Sequence, residues 1–330
     1  MLFIHGIGHF HPENLIDNNL LESLDIGTTR EWIVERTGIC TRNTVLPLSY
    51  IVDTRNRDPK AADEASLYTN AETGYRAAMM AIERAGLSCS DIGMVVAGGS
   101  APRMTAPAEA CIIADRLGIS APALEINSAC STFAVQLRMF ALMNADSLPD
   151  FILIVNPENL TRTVNYNDRN VAVLMGDCTT AAVVSRRVSA RVAVSETYHQ
   201  SDPTGWNKVT IPSAGHLVQD GSSVQNFAIR RTVSTIEFLR KFTSTIPYFI
   251  GHQANLLMLK SACTRAGIPS ERHLFNVDRH GNCGAAGAPS VLSEKWDQLR
   301  PGEEVALAVV GAGLTWAGLL ITSAGQLAGD

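Results

Sequence analysis

Apolar and polar positions along the chain fall into two recurring textures. Short, almost wholly apolar runs closed by Gly, Asn or Asp occur at 94–97 before Gly-Gly-Ser, 151–155 before Asn-Pro-Glu-Asn, 305–310 before Gly-Ala-Gly, and 318–322. Runs of this length without polar alternation predict strands buried on both faces. Residues 1–10 read as a further, first strand. Between these runs, apolar residues recur at helical spacing across 70–85, 107–117, 227–239 and 256–266. Strands alternating with helices predict an α/β protein with a parallel or mixed sheet covered by helices.

The order of signals is doubled. Each half reads strand, helix, strand, helix, strand, and in each half a chemically suggestive residue follows a strand: Cys130 in the first, His252 and Asn282 in the second. The expected division is an N-terminal half at 1–186 and a C-terminal half at 187–330, with the crossover at 187–195. Segment 47–69, which includes Arg-Asn-Arg-Asp-Pro-Lys, is polar and contains proline, so it reads as a long surface excursion.

Composition narrows the class. The chain has 330 residues, 46% hydrophobic and 18% charged, enough to bury a large core and far from a disordered composition. A formal net charge of −5 argues against nucleic acid as a partner, because phosphate affinity comes from clustered Lys and Arg. The seven cysteines form no CxxC pair, so neither a disulfide framework nor a zinc ribbon is expected, and the reducing cytoplasm is the expected setting. No metal centre or redox cofactor is expected. The N-terminus lacks a basic signal-peptide region, and no apolar run approaches the length of a membrane span.

Four segments carry chemistry. In the first, a short strand turns at Asn127-Ser-Ala-Cys130 into a helix that is apolar nearly all round, which predicts a helix buried in the middle of the molecule. Cys130 at its start faces unpaired N–H groups and the helix dipole, which favour a thiolate. In the second, Gly251-His252-Gln-Ala-Asn255, a strand delivers an imidazole able to donate a hydrogen bond to a carbonyl oxygen. In the third, Asp278-Arg-His-Gly-Asn282, a small-residue loop presents an amide donor ahead of a helix at 288–296. In the fourth, Gly311-Ala312-Gly-Leu-Thr-Trp316, a turn offers backbone N–H groups for one half of an oxyanion hole, the other half being the N–H of Cys130. Taken singly, each has an ordinary structural reading: a buried thiol, a capping histidine and two tight turns.

In combination and order these segments, with Glu31-Trp-Ile-Val-Glu-Arg-Thr-Gly-Ile39 before them, resemble β-ketoacyl-acyl-carrier-protein synthase III from end to end. The resemblance implies a thiolase-like fold, two similar βαβαβ halves in a five-layered α/β/α/β/α arrangement, in a homodimer. It implies a catalytic Cys-His-Asn set at Cys130, His252 and Asn282, and an oxyanion hole from the backbone of Cys130 and Ala312. It also implies coenzyme A contacts at Thr28, Trp32, Arg36 and Arg169. The substrates implied are acyl-CoA, or an acyl carrier protein, and a malonyl-type thioester, with no cofactor.

Departures from the family pattern point to a specialised relative in secondary metabolism. Ala312 replaces a glycine, and Leu257 stands where a basic residue helps to dock carrier protein, leaving Lys260 and Arg265 as replacements. Segment 47–69 is longer than its counterpart, and the stretch before His252 is shorter. Where relatives restricted to short primers have a bulky aromatic that reaches across the dimer, this chain has Met104, Thr105 and Ala106, so an acyl pocket open to longer chains is expected. The alternatives are a related acyltransferase that forms an ester, amide or cyclised product, and a silent partner subunit of a heteromeric synthase.

Overall fold

Continuous apolar runs without polar alternation become strands with no exposed face. In the computed structural model, which describes residues 1–213, 215–245 and 247–324, every residue of Ile152–Asn159 and of Asp177–Ser185 is buried. The strands in chain order are β1 (Leu2–Phe10), β2 (Asn14–Asp17), β3 (Thr41–Thr44), β4 (Met94–Ala97), β5 (Ala123–Glu125), β6 (Ile152–Asn159), β7 (Asp177–Ser185), β8 (Val192–Ser201), β9 (Val209–Thr210), β10 (Val218–Gln219), β11 (Tyr248–Gly251), β12 (His273–Leu274), β13 (Glu304–Gly311) and β14 (Thr315–Ser323). The helices are α1 (Asn18–Ser23), α2 (Arg30–Thr37), α3 (Leu48–Thr54), α4 (Pro59–Ala65), α5 (Asn70–Arg84), α6 (Glu109–Leu117), α7 (Thr132–Leu142), α8 (Arg169–Ala172), α9 (Gly221–Leu239), α10 (Leu256–Ala266), α11 (Val277–His280) and α12 (Gly284–Lys295).

Ten strands pair in the order β12-β11-β13-β14-β8-β1-β7-β6-β4-β5. The order is the same on each side of the centre. Outward from β1 the sheet runs β7, β6, β4, β5, and outward from β8 it runs β14, β13, β11, β12, with the same antiparallel and parallel pairings in both directions. β1 and β8 join the two sets by a short antiparallel contact at Leu2, Phe3 and Ile4.

Burial fixes the layers. One core unites α7 and α12 with the inner faces of both strand sets, through Phe133, Leu137 and Phe140 from α7 and Val291 and Leu292 from α12. A second core places α5 and α6 on the outer face of β4, β6 and β7. On the far side, α9 and α10 cover Phe249 and Ala308. The result is α/β/α/β/α, with the nearly all-apolar α7 in the central layer, as its composition predicts.

Two expectations change. Segment 47–69 lies largely at the surface, but it is helical and tied down. It folds into α3 and α4, and the fully buried Asn56 between them donates to the carbonyls of Arg162 and Val164 at 2.8 and 2.9 Å, while Asp63 pairs with the buried Arg162. Asn56 and Asp63 make the inward hydrogen bonds, while Ser49, Asp53, Arg57, Asp58, Lys60 and Glu64 stay exposed. Residues 192–195 of the expected crossover are already strand, because β8 pairs with both β1 and β14. No helix among the described residues is long and apolar enough to cross a membrane.

Candidate active site

The turn at the end of β5 is built by its own side chains. Asn127 accepts the Ala129 N–H at 2.9 Å and donates to the Gly99 carbonyl at 2.8 Å. Thr132 accepts the Ser128 N–H at 2.8 Å. Ala129 takes φ 47°, a left-handed conformation rare for a residue with a side chain, which is sustained only where surrounding bonds over-determine it. The consequence is an abrupt reversal that presents the Cys130 side chain to a cavity of about 300 Å³ just before α7 begins.

The opposite wall is the turn after β13. Gly311 approaches so closely that a Cβ there would lie 3.1 Å from the Cys130 nitrogen and 3.0 Å from that of Ser131. This contact leaves no room for a larger residue. The backbone N–H groups of Cys130 and Ala312 both face the Cys130 sulfur. Ser131 and Thr315 lock the two turns together, hydroxyl to hydroxyl, at 2.8 Å. With alanine at 312, the backbone N–H still faces the sulfur.

Charge at the sulfur differs from the sequence expectation of a thiolate. Burial and the nearby Glu158 carboxylate push the Cys130 thiol up to about 12, and the two N–H groups only partly oppose them. A helix start stabilises an anion, but here desolvation outweighs it. The thiol therefore keeps its proton at neutral pH.

His252, at the end of β11, and Asn282, just ahead of α12, line the same cavity as Cys130 and Ala312. Burial alone holds the His252 imidazole down to about 4, so the ring is neutral at ordinary pH. The Asn282 carbonyl oxygen accepts the Gly284 N–H at 3.1 Å, which settles the amide orientation and leaves its NH2 free to donate. Gln253 couples the two positions: its oxygen accepts the N–H groups of Asn276 and Val277 at 3.1 and 3.2 Å, and its NH2 donates to Gly251.

Reading along the chain did not find Gln253, nor Glu158. Glu158 is completely buried and accepts from the N–H and hydroxyl of Ser100 and from the N–H of Ala285, at 3.0 to 3.1 Å. It braces the first turn of α12 against the cavity wall, and burial pushes its carboxyl up to about 7. The only hint in the sequence was a charged residue three positions beyond the apolar run 151–155.

The remaining positions lie at the surface or just beneath it. Thr29 caps α2 by accepting the Trp32 N–H at 3.2 Å, and the half-buried Trp32 ring stacks beneath the Arg169 guanidinium at 5.1 Å. Arg169 also donates to the Gly27 carbonyl at 2.6 Å, beside the buried Thr28, whereas Arg36 is exposed. Lys260 and Arg265 are exposed on α10. Met104, Thr105 and Ala106 are exposed and line no part of the cavity within one chain. Its apolar wall comes instead from Val209 and Ile211 at the β9 hairpin, Phe227 on α9, and Leu314.

A half-buried thiol faced by two backbone N–H groups, with a neutral imidazole and a free amide in the same cavity of a doubled five-layered fold, defines a condensing acyltransferase of the thiolase type. Comparison with known proteins gives the family. Residues 124–203 match the model for 3-oxoacyl-[acyl-carrier-protein] synthase III, and residues 242–323 match its C-terminal counterpart. The chain is 31% identical to the β-ketoacyl-[acyl-carrier-protein] synthase III of Syntrophomonas wolfei, with 96% of each covered. The corresponding crystal structure from Thermus thermophilus superposes with a TM-score of 0.84 at 29% identity, covering 98% of this chain and 99% of that one. The priming β-ketosynthase of the R1128 polyketide pathway gives 0.83 at 25% identity, covering 98% and 97%. The chain belongs to the β-ketoacyl-acyl-carrier-protein synthase III family and is an acyltransferase.

The state of His252 is directly measurable. Its folded value lies below the ordinary 6.5, so the unfolded chain binds the extra proton between the two. The neutral ring's contribution is fully present above pH 6.5 and is lost as pH falls toward 4, about 3 kcal/mol in all. Histidine NMR of the folded protein should show the His252 ring still neutral at pH 5.5. A midpoint near 6.5 would contradict the buried, uncharged imidazole.

Proposed function

We propose that Cys130 carries the acyl group and that His252 and Asn282 activate a malonyl-type thioester for decarboxylative condensation onto it. One observation supports this reading above the others: the sulfur of Cys130 is faced by two converging N–H groups in the cavity that His252 and Asn282 also line. As the Cys130 sulfur attacks an acyl thioester, its proton passes to the neutral His252 ring. The tetrahedral oxyanion is held by the N–H groups of Cys130 and Ala312. The coenzyme A sulfur leaves and takes the proton, restoring neutral His252.

The second substrate then uses the same neutral ring and the free Asn282 amide as donors to its thioester oxygen. Loss of carbon dioxide leaves an enolate whose charge they stabilise, and its carbon attacks the acyl-cysteine carbonyl. The tetrahedral intermediate collapses, the Cys130 thiolate leaves and takes a proton from solvent, and a β-ketoacyl thioester is released. A charged His252 would stabilise the enolate more, but once coenzyme A has left with the proton the low basicity of the ring keeps it a neutral donor during condensation.

Trp32 and Arg169 form the entrance for the nucleotide of coenzyme A, an aromatic face for the base and a guanidinium for phosphate, with Thr28 and Arg36 beside them. Lys260 and Arg265 are the docking positions for an acyl carrier protein. The working form is a homodimer paired through β5, the edge of the sheet, where Leu124 is exposed. The loop at Met104, Thr105 and Ala106 leads directly into α6, which packs on β5, so it would act on the partner's acyl pocket and leave it open to medium or long chains. All seven cysteines are free.

Intact-mass measurement separates the two stages. Cys130→Ala should give no acyl adduct with any acyl-CoA. His252→Ala and Asn282→Ala should still form the adduct but release carbon dioxide from malonyl thioester about 10²–10³ more slowly. Stoichiometric acylation of Cys130→Ala, or unchanged decarboxylation in the other two, would refute the roles. Trp32→Ala and Arg169→Ala test the entrance: each should raise KM for acyl-CoA while sparing acylation from a short thioester that lacks the nucleotide. Equal loss with both donors would count against nucleotide contact.

A further inference from the structure

Away from the cavity, three imidazoles and a carboxylate from three distant parts of the chain converge. His9 and His11 lie at and just beyond the end of β1, His280 ends α11, and Glu294 is on α12. The ligand atoms of His9, His11 and Glu294 lie within 4.8 Å of one another. The rings of His11 and His280 stack at 3.7 Å between centroids, nearly parallel at 12°.

The hydrogen bonds around the cluster determine which nitrogens carry lone pairs. The Asn43 oxygen can only accept, and its NH2 is already committed to the Pro12 carbonyl at 2.6 Å. The contact of 2.7 Å between that oxygen and His280 Nδ1 therefore requires the proton on Nδ1, which leaves a lone pair on Nε2. That Nε2 is buried without a hydrogen-bond partner and lies 3.5 Å from Glu294 Oε1, another acceptor. Two acceptors facing each other across a gap repel unless a cation or a proton lies between them.

His9 is oriented in the same way. The Ser293 hydroxyl, which accepts from Arg84 at 2.9 Å, holds the His9 ring through Nδ1 at 2.8 Å and leaves Nε2 outside that contact. His11 Nε2 faces the Cys178 sulfur at 3.8 Å, and its Nδ1 is buried without a partner. One nitrogen fixed by a neighbour and the other left open is how metal-binding histidines are held. The two nearby guanidinium groups are already neutralised: Arg84 pairs with Asp297 and Arg279 with Glu294, each at 2.9 Å.

We propose that His9, His11, His280 and Glu294 form a site for a divalent transition-metal ion of the zinc type. Imidazole nitrogen with one carboxylate suits zinc and its neighbours in the first row rather than magnesium or calcium. Donors around a tetrahedral zinc stand about 3.4 Å apart, close to the His280–Glu294 separation, and the His11 ring has to turn out of its stack on His280 to complete the shell. The bound ion ties the end of β1 to the loop that carries Asn282, two residues beyond His280. Its role is therefore structural rather than chemical.

Cobalt(II) titration followed by visible absorption tests the site, with the full chain stripped by chelator and carrying Cys130→Ala to remove the competing catalytic thiol. One equivalent should bind and give the intense bands of low-coordinate cobalt, and zinc should abolish them stoichiometrically. His9→Ala and His11→Ala should each weaken binding at least tenfold. Circular dichroism in chelator checks that the variants fold, and the half-exposed His9 serves if His11→Ala does not. A spectrum no different from aqueous cobalt would overturn the site and leave a protonated His280 paired with Glu294 as the occupant of the gap. Binding unchanged in both variants would also overturn it.

Discussion

The active site depends on how closely the Gly311–Ala312 turn approaches the start of α7. A missing side chain at 311 lets one backbone come against the amides of Cys130 and Ser131, and the Ser131–Thr315 hydroxyl contact holds it there. Only with that spacing can two N–H groups from opposite halves of the molecule face one sulfur. Hydrogen-bond donors fixed in advance are worth more than donors that must be reorganised during the reaction, because their orientation costs nothing when charge develops.

The doubled sheet makes that spacing reproducible. α7 and α12 occupy matching places in the two halves and pack against each other in the central layer, so Cys130 before one and Asn282 before the other converge on one cavity. Glu158 and Gln253 tighten the convergence. The first holds the opening turn of α12, and the second ties the His252 strand to the segment leading to Asn282. The same burial sets the chemistry. It raises Cys130 and lowers His252, so a protonated thiol and a neutral ring are the resting pair.

Much of this was legible in the sequence, for physical reasons. β6, β13 and β14 announced themselves because strands covered on both faces need apolar residues throughout, and α10 was read to its residue limits because its amphipathic period is uninterrupted. The all-apolar α7 declared a central layer. What escaped depends on partners far away in the chain. Asn56 looked like surface polarity, yet its hydrogen bonds reach beyond residue 160. The thiol's protonation could not be read from a helix start, because burial and Glu158 reverse the helix contribution. His9, His11, His280 and Glu294 share no spacing motif, since the end of a strand and two helices bring them together.

The central claim is that the amides of Cys130 and Ala312 already point at the reacting carbonyl before chemistry begins. Isotope-edited infrared difference spectroscopy of the acyl-enzyme, with and without carbon-13 in the acyl carbonyl, measures this directly. Two hydrogen bonds polarise the thioester, so its stretch should fall clearly below that of the same acyl thioester in water. A carbonyl frequency equal to that of the free thioester would mean the amides do not engage it, and the account given for Cys130 and Ala312 would be wrong.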